Sequence, residues 1–168
     1  TRYIETSYEK DTVLAFNILD SSKKVPTRLE VADEYVKLKK FDFDFQPDLI
    51  ILDGGDTYAS KQTIERFPRA ISVLKTDRFN QDIAAVALKV NYLICSLDFA
   101  SDVMKSPVDK SNVSSLVNCY TELRNRFEHQ NIIITLGSNG AMYLVDDHIK
   151  ISHALNMDIV DNNVFVDI

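Results

Sequence analysis

Glycine is scarce in this chain. Four glycines occur in 168 residues, where average usage near 7% would supply about twelve, so a protein built on many glycyl turns is excluded unless such turns have been lost from it. Cysteine is rarer still: Cys95 falls in an apolar, strand-like pattern and Cys119 in a helix-like one. Such thiols read as buried and free in a reducing compartment, without the neighbours a zinc site needs, and the cytoplasm is the expected location. Apolar runs are short. No stretch of about 18 apolar residues exists and no basic-then-apolar leader opens the chain, so neither a spanning helix nor a signal peptide is expected. Positive charge is also in deficit, with 19 Lys and Arg against 25 Asp and Glu and a net charge of -6. An acidic chain is repelled by nucleic acid and by anionic membranes, which argues against both as partners. The basic cluster at Lys37, Lys39 and Lys40 reads as a solvated face. His129, His148 and His153 are scattered without metal spacing or a neighbouring nucleophile, and read as surface residues.

What is present is an ordinary globular composition, 45% apolar and 26% charged, in a chain of single-domain length. Residues 3–6 and 12–19 read as a hairpin around a polar turn, and 29–38 as a short helix. Phe41, Phe43 and Phe45 alternate with Asp42 and Asp44, which suits either an extended edge or a loop stapled to the core. Residues 47–55, Pro-Asp-Leu-Ile-Ile-Leu-Asp-Gly-Gly, form a continuous apolar run between a proline and a glycine pair. That is the pattern of a strand buried on both faces, in a parallel sheet covered by helices. Helix-like and strand-like segments then alternate: 57–67 helix, 70–74 strand, 82–88 helix, 92–95 strand, and 111–127 helix with an apolar face of Val113, Leu116, Val117, Tyr120, Leu123 and Phe127. Residues 131–136 and 141–145 form strands around the turn Gly137-Ser138-Asn139-Gly140, and 149–151 is a further extended piece. Alternation of this kind predicts an α/β fold with a mostly parallel sheet flanked by helices.

The segment Ile132-Ile133-Ile134-Thr135-Leu136-Gly137-Ser138-Asn139-Gly140-Ala141 resembles the strand and glycyl hairpin of the ribokinase-like, or PfkB-type, carbohydrate kinases. Two more landmarks stand in family order: the strand ending in Asp53-Gly54, and the strand and turn at 92–100. Downstream, Val160-Asp161-Asn162-Asn163 is similar to the lead into the family's Gly-Ala-Gly-Asp motif. The resemblance covers about residues 47–161. It implies a Rossmann-like, ribokinase-like fold with a partial core over 21–168, and a remnant of the β lid over 1–20. It further implies ATP and Mg²⁺ as cofactors, a sugar and a nucleotide as partners, and a homodimer through the lid as the candidate assembly. In the family the hairpin turn lies beside the nucleotide, so Thr135, Gly137 and Gly140 are the implied nucleotide residues. Asp167 occupies the register of the catalytic base, and Arg2 and Asn17 lie where lid contacts to the sugar would be.

Two departures accompany the resemblance. Val164-Phe165-Val166 stands where the family has its glycines, and valine there would block the close approach of phosphate and resist positive φ. Either the anion hole is degenerate, or Asn163 and Val164 are not neighbours in the natural polypeptide. The family's Asn-x-x-Glu, which helps hold Mg²⁺, is replaced at Ser96 and Phe99, with Asp98 the nearest carboxylate, and no metal ligand is assigned. As it stands the chain is expected not to catalyse. A non-catalytic ligand-binding or scaffold protein on a sugar-kinase fold is the alternative. A receiver-type domain with Asp53 as phosphoacceptor is another, although it lacks the Met-Pro and Lys-Pro that such a domain carries.

Overall fold

Residues 14–18, 27–31, 43–128 and 130–155 are described by the structure, a computed structural model. Strands β1 (Leu14–Ile18) and β2 (Thr27–Val31) form a separate antiparallel pair. The remaining elements are β3 (Leu49–Leu52), α1 (Thr57–Arg66), β4 (Ile71–Thr76), α2 (Gln81–Ala87), β5 (Tyr92–Ser96), α3 (Leu97–Met104), α4 (Val113–Arg126), β6 (Asn131–Thr135), β7 (Ala141–Val145) and β8 (His148–Ser152). They build one six-stranded sheet in the order β3-β4-β5-β6-β7-β8. The first four strands are parallel, and β7 and β8 return antiparallel.

Local chemistry accounts for the helix boundaries. Each of the four helices opens on a side chain that accepts a backbone N–H of its first turn. Asp56 Oδ1 accepts from Ala59 at 2.8 Å, Asn80 Oδ1 from Ile83 at 2.8 Å, Ser96 Oγ from Phe99 at 3.1 Å, and Asn112 Oδ1 from Ser114 at 2.9 Å. Helix α1 stops at Phe67 ahead of Pro68, whose missing N–H ends the ladder, and α3 stops at Lys105, which adopts a left-handed conformation with φ of 56°.

The core lies on one face of the sheet. Register places Leu52, Leu74, Leu93 and Ile132 in one row, and Thr76, Cys95, Ile134 and Met142 in the next. All eight are buried. All but Thr76 share a single apolar cluster with Ile83 and Val86 of α2, Phe99 of α3, and Leu116, Cys119 and Leu123 of α4. This arrangement follows from topology: the crossovers from β3 to β6 all step the same way across the sheet, and crossovers of one hand place their helices on one side.

Three expectations change. Residues 29–31 are strand, not helix: they belong to β2, which pairs with β1 in the register Phe16 to Leu29. Residues 14–18, within one arm of the expected hairpin, pair with 27–31, and residues 3–6, the other arm, lie outside the described residues. The stripe of α4 is rotated toward Cys119. Leu116, Cys119, Tyr120 and Leu123 are buried, whereas Val113 is 66% exposed and Val117 38%, because the helix turns its 116-119-120-123 line onto β6. Lastly, β3 is covered on one face only among the described residues, with Ile50 and Leu52 inside and Leu49 and Ile51 outside. Phe43 and Phe45 pack against Phe67 with centroids 6.0 and 6.2 Å apart, which favours the staple reading for that loop.

Candidate functional site

Because β3 to β6 run parallel, their carboxyl ends gather on one rim, which is where open α/β sheets bind ligands. Asp53-Gly54-Gly55 follows β3, Thr76 ends β4 and Asp77 follows it, Ser96 ends β5, and Thr135 leads through Leu136 into a 3₁₀ turn at Gly137–Asn139. The connections are tied to one another. The Gly55 N–H donates to Asp53 Oδ1 at 2.9 Å, turning that carboxylate back on its own loop. The Thr76 hydroxyl donates to the Arg78 carbonyl at 3.0 Å, the Ser96 hydroxyl to the Asp77 carbonyl at 3.3 Å, and the Thr135 hydroxyl to the Cys95 carbonyl at 3.3 Å.

The two glycines of the hairpin turn play different parts. Gly137 has φ of 60° and Gly140 φ of 98°, values that suit glycine because it has no Cβ. A Cβ on Gly140 would collide with the Ser152 carbonyl at the end of β8, so this glycine lets β7 and β8 close together. A Cβ on Gly137 would meet nothing within 4 Å. The backbone at Gly137 is open above the rim, and the turn's own hydrogen bonds use the amides of Asn139 and Gly140, which donate to the carbonyls of Leu136 and Gly137 at 3.3 and 2.9 Å. That arrangement suits backbone approach by an anionic ligand.

Of the residues singled out from sequence, Thr135, Gly137 and Gly140 come together at the rim. Asn17 lies in β1, opposite Arg28 in the separate two-stranded sheet. Arg2, Asp167 and the Val164-Phe165-Val166 run lie outside the described residues, as does His129. His148 and His153 are exposed. Among the described residues no group of three His, Cys, Asp or Glu side chains is placed to hold a metal, and no helix is long and apolar enough to cross a membrane. Asp53, Asp77 and Asp98 are exposed at the ends of β3, β4 and β5. In the sequence Ser96 stands at a metal position of the family; in the structure it is the cap of α3 and donates to the Asp77 carbonyl just past β4. Its place just before a helical pattern was the available signal.

Away from the rim, Cys95 and Cys119 are both free and buried. Burial pushes the Cys119 thiol up to about 11 and the Cys95 thiol higher still, so neither suits a nucleophile near neutral pH. Tyr120, also raised chiefly by burial, donates its hydroxyl to the Ile132 carbonyl at 2.9 Å and anchors α4 to β6.

No family model matches the sequence, and no curated protein matches it. Solved structures do. A provisionally assigned ribokinase from Agrobacterium tumefaciens aligns with TM-score 0.72 at 15% identity, over 89% of this chain and 49% of its own. A protein named Sa239 aligns with TM-score 0.66 at 14% identity, over 96% of this chain and 55% of its own. The parallel order of β3 to β6, the hairpin turn on their carboxyl rim and these two alignments lead to one statement: the chain has a ribokinase-like α/β fold, and it spans about half the length of the solved structures it matches.

Proposed function

We propose that this chain is the central part of a cytoplasmic, ATP-dependent sugar kinase. The observation that carries the reading is the position of Gly137, left-handed and open, on the rim where the parallel strands end. In this reading Thr135 closes β6 beneath the nucleotide, Gly137 lets the backbone approach phosphate, and Gly140 holds the hairpin against β8. ATP would supply the γ-phosphoryl group, with Mg²⁺ neutralising phosphate charge. Asp167 is the proposed general base, accepting the proton of the sugar hydroxyl as that oxygen attacks. Arg2 and Asn17 would contact the sugar from a lid over 1–20, which would also carry a homodimer, while 21–168 supplies the core.

The test uses the intact gene product. ATP binding measured by titration calorimetry should weaken about tenfold or more in Gly137→Val, because valine strains the left-handed turn and fills its open side. Phosphate transfer from ATP to one member of a sugar panel is the expected activity, and complete absence of ATP affinity would sink the reading. The valines at 164 and 166 favour a second one, in which the fold binds a ligand without transferring phosphate. ATP binding with no transfer to any sugar is its expected outcome.

A further inference from the structure

The turn between β6 and β7 carries a reactivity that the fold cannot remove. Of the asparagines in the chain, only Asn139 precedes a glycine. Gly140 is required where it stands, because a Cβ there would collide with the Ser152 carbonyl at the end of β8. The same missing Cβ leaves the Gly140 amide nitrogen sterically free to meet the side chain of the residue before it. Asn139 is exposed, and among the described residues its side-chain amide has no hydrogen-bond partner. Nothing there holds its Cγ away from that nitrogen. The chain's other acid-or-amide–glycine pair, Asp53-Gly54, is restrained instead: Asp53 Oδ1 accepts the Gly55 N–H at 2.9 Å, and an ionised carboxylate is a poor target for a nucleophile.

We propose that Asn139 is a site of spontaneous deamidation through a succinimide closed by the Gly140 nitrogen, a modification that makes the turn anionic. The step balances with water as its one co-reactant. The Gly140 nitrogen gives its proton to solvent base and bonds to Asn139 Cγ; the Cγ–Nδ2 bond breaks, and ammonia leaves with a proton from solvent. Water then opens the ring at either carbonyl. Opening at Cγ leaves an ordinary aspartate, and opening at the main-chain carbonyl leaves an isoaspartyl link, whose backbone runs through Cβ and is longer by one methylene. Ring closure joins groups already held on adjacent residues, which gives it the advantage of an intramolecular reaction. The brake is the hydrogen bond from the Gly140 N–H to the Gly137 carbonyl at 2.9 Å, in a turn whose residues 137 to 139 are all exposed and which can open locally. Both products place a carboxylate on the turn that Gly137 opens to an anion. The isoaspartyl product also lengthens the loop that the Leu136 N–H closes on the Gly140 carbonyl at 2.7 Å. The consequence for ATP rests on the nucleotide reading above, whereas the modification does not.

Ageing the intact gene product at mildly alkaline pH, followed by digestion in acid and peptide mapping by mass spectrometry, tests it. The peptide carrying Asn139 should gain one mass unit about tenfold faster than any other asparagine peptide, and should split into aspartyl and isoaspartyl forms. The Asp53 peptide should stay a single form, and Asn139→Gln should abolish the gain in its own peptide. A gain at Asn139 no faster than elsewhere, or an aspartyl product alone, overturns the proposal. Ion exchange separates the aged protein by its added negative charge, and ATP titration of that fraction should show binding about tenfold weaker than in fresh protein, as like charges repel. Equal binding by the two overturns the claimed consequence. Fresh protein without ATP affinity sinks the kinase reading instead; the peptide map then still decides the site, and the isoaspartyl fraction should still melt below fresh protein because its hairpin loop is lengthened.

Discussion

The two faces of the central sheet differ in fate far more than in composition. On one, Leu52, Leu74, Leu93 and Ile132 stand in a row beneath α1 to α4, and all four are buried. One residue along the same strands, Ile51, Val73, Tyr92 and Asn131 form the neighbouring row on the other face, where Ile51 is 72% exposed. Side chains alternate strictly along a strand, so a run such as Leu49-Ile50-Ile51-Leu52 sends equally apolar groups both ways. The direction of the crossovers decided which set found helices to pack on. An apolar residue's contribution to stability is therefore set by what lies opposite it.

The largest expected break in that comparison is Leu93→Ala. Removing a fully buried side chain from the covered face should cost about 2–5 kcal/mol, read as a lower urea midpoint at unchanged slope. Gly140→Ala comes next at about 1–3 kcal/mol, because its φ of 98° and the Ser152 carbonyl both resist a Cβ. Gly137→Ala, with open space around it, should cost less, and thermal melts of the two variants check the order. The third expectation concerns pH. The Cys119 thiol, ordinarily near 9, is pushed up to about 11 in the folded protein, so ionisation favours the unfolded state. Stability should hold below about pH 9 and then fall by about 1.4 kcal/mol per pH unit for this thiol until about pH 11; Cys119→Ala should lessen the slope in denaturation series at about pH 8 to 11, leaving the part due to Cys95, whose thiol burial raises further. Smallest is Ile51→Ala in the 168-residue chain, expected within about 0.5 kcal/mol of the parent. A loss comparable to that of Leu93→Ala would erase the distinction between the faces.

Much of the α/β framework was legible along the chain. The segment 57–67 appears as Thr57–Arg66, 82–88 as Gln81–Ala87 and 92–95 as Tyr92–Ser96, because caps, proline stops and apolar periodicity are local signals. Residues 29–31 depart from the expected helix because Leu29 and Val31 also fit a strand, and pairing with 14–18 decides the matter there. In the candidate site the turn at 137–140 was legible, whereas the division of labour between its glycines was not. That division depends on β8, which folds back against Gly140 and leaves Gly137 open.

By itself the order of residues determined the element types, the helix caps, the apolar strands and the glycyl hairpin, since each depends on neighbours a few positions away. Tertiary structure alone decided that β8 closes against Gly140, that Tyr120 reaches the Ile132 carbonyl, and that, among the described residues, one apolar face of β3 and β4 is covered while the other is exposed. Those outcomes come from contacts between residues distant in the chain, and an alternating strand carries the same pattern whichever side the helices take.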